Sequence, residues 1–113
     1  MKQIIAIVRP AAVEKIEHAL HELEHFPGFT LIRVKGESRG RAAGHTYAPL
    51  EWDIEEHDNA MLLVLCSDDL APRIVEAIRQ AARTGRPGDG VIAISEVAQV
   101  LRIGSEERGD AAT

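Results

Sequence analysis

Cysteine is almost missing from this sequence. Cys66 stands alone among 113 residues, so no disulfide can form within the chain. That fits a reducing compartment. Long apolar runs are missing too, and no stretch reaches the length of a membrane-spanning helix. Basic residues are outnumbered, 13 against 18 acidic, and the net charge of −5 counts against nucleic acid as the main partner. There is no internal repeat and no low-complexity tract. No nucleophile–base pair, no carboxylate pair with an evident role and no metal-hydrolase motif stands out, which counts against catalysis as the main activity. The start lacks the basic segment and apolar core of a signal peptide, because Arg9 and Pro10 interrupt it and Glu14 follows. A cytoplasmic protein is therefore expected. The length suits one domain, 1–113, able to bury a core, with an ordinary 45% of hydrophobic residues.

What is present begins with Gln3 to Val8, an apolar run with three isoleucines and a valine that reads as a buried strand. Arg9-Pro10 ends it, and Pro10 can open a helix. Val13, Ile16, Leu20 and Leu23 recur at helical spacing, and that helix is expected to stop near His25, before Pro27-Gly28. His18, His21 and His25 fall within an arc of about 60° on its other face. His21 and His25 are four apart, a spacing that can chelate one metal ion. Glu14, Glu17, Glu22 and Glu24 surround them, and a solvated charged face is the plainer reading.

Phe29 to Lys35 alternates as a strand that Gly36 closes. Residues 37–59 then show no sustained period, and a loop of this length in a small domain is normally functional or mobile. It holds an isolated aromatic pair, Tyr47 and Trp52. Trp52 either contacts a partner or packs back on its own domain. Ala60 to Cys66 is a third, nearly all-apolar strand, in which Cys66 reads as a small core residue. Asp68 or Asp69 is placed to cap a second helix with Pro72 in its first turn and Leu70, Ile74, Ile78 and Ala81 on its apolar face. Val91 to Ser95 is a fourth strand. Val97, Val100, Leu101 and Ile103 suggest a further short element carrying Arg102 outward, and 104–113 reads as a flexible C-terminal tail.

Between the second helix and the fourth strand lies Thr84-Gly85-Arg86-Pro87-Gly88-Asp89-Gly90. Glycine permits positive φ and close approach of a ligand. Successive N–H groups in such a turn form a concavity that suits phosphate oxygens, and Arg83 and Arg86 flank it with positive charge. A plain helix-to-strand turn is the competing reading. The element order, β-α-β, long loop, β-α-β, is the ferredoxin-like split arrangement: an α+β fold with a four-stranded antiparallel sheet and two helices on one face. The first and third strands are apolar on both faces, so the face without helices needs a cover, which argues for an oligomer.

Lys35-Gly36 before a long loop, the run Ala81 to Gly90, Arg102 and the Gly-Ser-Glu-Glu tail together resemble the P-II signal-transduction proteins, over nearly the whole chain. The resemblance implies a non-enzymatic nitrogen regulator, a homotrimer with an adenine nucleotide (ADP, AMP or ATP) in each cleft between subunits. It implies nucleotide contacts at Thr84, Gly88, Asp89 and Gly90, at Gly36 and Arg39 by the loop base, at Gly28 and Thr30 from a neighbouring subunit, and at Arg102 facing phosphate. It also implies a loop, including Arg41, Tyr47 and Trp52, that touches a partner protein such as a membrane transporter or an enzyme and moves with the bound nucleotide.

The sequence departs from the family pattern. Val91 stands where a lysine usually follows Gly-Asp-Gly, Gly40 replaces the glutamine after the loop arginine, Asn59 replaces a loop lysine and Gly104 a second arginine. Each change removes a charge or a donor. Trp52 takes the place of the modifiable tyrosine. These changes count against uridylylation and against magnesium and 2-oxoglutarate as ligands. The Phe26-Pro27-Gly28-Phe29 segment and the Arg-Gly-Arg loop start resemble a divergent branch associated with heavy-metal efflux. An alternative expectation is therefore a metal-responsive trimeric module using His18, His21 and His25, with His45 and His57 in the loop.

Overall fold

The computed structural model describes residues 1–36 and 57–113. Its elements are β1 (Lys2–Val8), a 3₁₀ turn (Pro10–Ala12), α1 (Val13–His21), β2 (Thr30–Gly36), β3 (His57–Cys66), α2 (Ala71–Ala82), β4 (Gly90–Glu96) and a second 3₁₀ turn (Gly109–Ala112). The four strands form one antiparallel sheet in the order β2-β3-β1-β4. The expected α+β arrangement is the one found.

Alternation along the central strands decides the layering. Ile4, Ala6 and Val8 of β1 and Ala60, Leu62, Val64 and Cys66 of β3 are buried. They pack with Ile16 and Leu20 of α1 and with Ala71, Ile74, Ile78 and Ala82 of α2. Both helices thus cover one face. The intervening residues point to the other face, where Ile5 lies between Leu63 and Ala93, and Ile7 between Met61 and Val91. Val91 is 64% exposed there. One sheet face carries the core, and the opposite face has a half-buried apolar centre made by Ile5, Ile7, Met61 and Leu63.

Three boundaries differ from the sequence reading. The first helix ends at His21, and His25 takes a left-handed φ of 60°, so the chain has left the helix four residues before the expected stop. The third strand begins at His57, so His57, Asp58 and Asn59 are paired with Gly36, Lys35 and Val34 and belong to the sheet. Neither Asp68 nor Asp69 caps the second helix. Its cap is Leu70, whose N–H is donated to Ser67 Oγ at 3.4 Å. Asp68 instead accepts from the Met1 amino group at 2.9 Å and pairs with Lys2 at 3.1 Å.

Several contacts form within the C-terminal segment. Leu101 bridges Arg108, Gly109 N–H is donated to Val100 O at 2.9 Å, and Ala112 is buried. Arg102 is not simply carried outward: its guanidinium donates to Ala112 O through Nε (3.2 Å) and Nη2 (2.9 Å).

Candidate functional site: the glycine-rich turn

α2 ends at Ala82, and Arg83 is already extended with ψ 124°. The turn then folds around one carboxylate. Thr84 donates its N–H to Asp89 Oδ2 at 2.8 Å and its hydroxyl to Asp89 Oδ1 at 2.5 Å. Arg86 N–H is donated to Thr84 Oγ1 at 3.1 Å. Hydrogen bonds from the Thr84 side chain and backbone hold the Asp89 carboxyl below its usual range, with smaller help from Gly85 N–H and the Arg9 charge.

Gly85, Gly88 and Gly90 all have positive φ, at 84°, 88° and 118°. Gly90 is the most constrained: a Cβ there would lie 2.0 Å from Ile7 O, because Gly90 opens β4 directly against the end of β1. On the other side of the turn, Arg9 donates through Nε to Gly88 O at 2.9 Å and through Nη2 to Pro87 O. Between α2 and β4 an open cleft of about 340 Å³ is lined by apolar Val75, Ile78, Ala82 and Ile92, with Arg79, Arg83 and Asp89 at its rim.

Thr84, Gly88, Asp89 and Gly90 are therefore gathered in one place, and Gly36 lies toward the same end of the sheet on the opposite edge strand. The remaining expected residues lie elsewhere. Thr30 is level with Leu63, hence with Ile5 and Ala93 halfway along the sheet, and Gly28 precedes it. β2 and β4 are separated by two strands, about 14 Å at the usual ~4.8 Å spacing. Arg102 comes after the far end of β4, and that end lies six residues along from the strand's start, about 20 Å at ~3.3 Å per residue. Arg39, Arg41, Tyr47 and Trp52 lie outside the described residues.

The three histidines are not drawn together as the helical spacing suggested. His18 and His21 remain on α1, where His21 lies 3.8 Å from Glu17 and edge-on to Phe26. His25 has turned away into a polar cleft with Glu24, Asp69, Arg73 and Asp110. Among the described residues no group of three His, Cys, Asp or Glu side chains gathers to hold a metal ion. Cys66 is buried, and burial pushes its thiol up, as a core residue requires. No helix among the described residues is long and apolar enough to cross a membrane.

In the sequence Arg9 marks only the end of a strand, and its contacts with the turn carry no local signal. The two arginine–turn contacts join residues 79 and 78 positions apart. They arise because Val8 pairs with Gly90 across the sheet.

The sequence is similar to known proteins over nearly its whole length. Residues 1–107 match the family described as nitrogen regulatory protein P-II. The chain is 40% identical over 111 residues to a nitrogen regulatory protein P-II of Azospirillum brasilense, covering 96% of each chain. It is 39% identical to that of Rhizobium meliloti, again over 96% of each, and 36% identical to that of Klebsiella oxytoca over 99% of each. With this fold, this turn and this full-length similarity, the chain belongs to the P-II nitrogen regulatory family, a family of non-enzymatic signal-transduction proteins.

Proposed function

We propose that the protein binds an adenine nucleotide, ADP, AMP or ATP, in clefts between the subunits of a homotrimer. It then uses the segment between β2 and β3 to control a partner protein, a transporter or an enzyme, from the cytoplasm. The observation that carries this reading is the division of the candidate residues. Thr84, Gly88, Asp89 and Gly90 form one group at the turn, and Arg102 lies a strand's length away. No single nucleotide phosphate can touch both groups in one chain. Two chains can bring them together, with Gly28, Thr30 and Arg102 supplied by the neighbour.

The open apolar sheet face supports the assembly. Ile5, Ile7, Met61 and Leu63 lie on it half-buried, and completing their burial supplies a part of the roughly 1.5–3 kcal/mol that full burial of each is worth. A guanidinium has five N–H donors, and the bonds to Ala112 O use two of them, so Arg102 keeps capacity for a phosphate. Arg41, Tyr47 and Trp52 are the residues of the β2–β3 segment that would meet the partner. The neutral Val91, Gly40, Asn59 and Gly104 leave few groups for magnesium or 2-oxoglutarate.

Calorimetric titration with ADP, AMP and ATP, each with and without magnesium and 2-oxoglutarate, tests this. Micromolar binding of one nucleotide, unaffected by 2-oxoglutarate, is expected. No binding of any of the three at millimolar ligand would end the reading.

A further inference from the structure

Arg9 is absent from the residues so far assigned to the nucleotide, yet its side chain is bonded to the back of the turn. Its Nε and Nη2 hold the carbonyl oxygens of Gly88 and Pro87. There are no cis peptides among the described residues. In a trans peptide the C=O and the following N–H point in opposite directions. With both carbonyls turned toward Arg9, the N–H groups of Gly88 and Asp89 are directed away from it. Two successive donors on one side of a glycine turn are the geometry that receives an anion oxygen. Gly88 has a φ of 88°, which favours glycine, and its Cα lies close against the Arg9 guanidinium.

The charge balance points the same way. Asp89 places a carboxylate inside the turn, which by itself would repel phosphate. Its oxygens are occupied by Thr84, and the Arg9 guanidinium behind the turn offsets its charge. Val91, the residue that follows the turn, brings no charge.

We infer that Arg9 is a positioning residue for phosphate binding: it turns the Pro87 and Gly88 carbonyls inward, presents the Gly88 and Asp89 amides outward, and offsets part of the Asp89 charge. This rests on the nucleotide reading above and adds a residue that does not touch the ligand. The planar fork is essential, because a lysine supplies charge but cannot grip two carbonyls in fixed geometry.

The test compares wild type with R9K and R9Q in the full-length assembly. ADP binding is measured by calorimetry at several salt concentrations, and amide exchange of residues 85–90 is followed without ligand. R9K is expected to bind ADP about tenfold more weakly with the salt dependence of wild type, since the charge remains. R9Q is expected to bind about a hundredfold more weakly with a shallower salt dependence. Turn amides should exchange at least severalfold faster in both variants. Wild-type affinity in R9K would overturn the positioning role while leaving nucleotide binding intact. Failure of the wild type itself to bind would remove the nucleotide reading and this inference with it. Should R9Q fail to assemble, R9K alone decides.

Discussion

Asp89 accepts two hydrogen bonds from one residue, the N–H and the hydroxyl of Thr84, at 2.8 and 2.5 Å. This clasp closes the turn between α2 and β4. Its strength depends on the carboxylate being ionised, because the bonds to Thr84 hold its pKa below the ordinary aspartate range. A depressed carboxyl pKa contributes stability above the unfolded value, and that contribution is lost as pH falls through the folded value. The expected outcome is that the amides of Thr84 and Gly85 gain exchange freedom in acid, below the ordinary aspartate range, while those of β1 stay protected. Site-resolved hydrogen exchange across that window checks it. Asp89→Asn should loosen the same amides at neutral pH.

Gly90 is held by a neighbour's backbone. A Cβ would sit 2.0 Å from Ile7 O, and φ is 118°. Gly90→Ala must move β4 away from β1 or distort the turn, and should destabilise the fold by about 2 kcal/mol or more. Urea unfolding of the two proteins measures this. A change under ~0.5 kcal/mol would show that the strands are not held in this register.

Leu62 is fully buried in the central strand β3, beneath both helices. Leu62→Ala should cost about 2–5 kcal/mol. Leu31, its partner across the sheet, is 47% exposed on an edge strand, and Leu31→Ala should cost well under half as much. The ratio of the two losses in denaturant reports how far the core extends toward the edge.

Arg102 ties the C-terminal segment to the domain through Ala112 O. Arg102→Ala should leave the sheet intact and free residues 109–112. Amide exchange confined to that segment, with about 1–2 kcal/mol or less of global destabilisation, is the expected result.

Much of this fold was legible because its signals are local. The isoleucine-rich run of β1 and the apolar stretch of β3 were plain, and Ile16, Leu20, Ile74 and Ile78 fell on the expected helix faces. The turn was legible from its three glycines, all of which take positive φ. The misread features depend on contacts distant in sequence or on a single dihedral. His25 leaves the helix through one left-handed residue, which dissolves the three-histidine face. Ala112 is buried although its surroundings in sequence are polar and small. Arg9 meets the turn only after β1 and β4 have paired. Periodicity records which face a residue occupies and says nothing about which side chain lies across the sheet from it.

A nucleotide site assembled from two chains, as proposed above, is tested most directly by mixing subunits. Asp89→Asn removes the turn's clasp and Arg102→Gln removes the charge proposed to come from a neighbouring subunit, so each variant alone should bind ADP at least tenfold more weakly than wild type. Refolding the two variants together brings an intact turn from one chain beside an intact Arg102 from the next. Calorimetry of the mixture should then recover a fraction of sites with wild-type affinity. A mixture that binds no better than either parent would contradict a site shared between subunits.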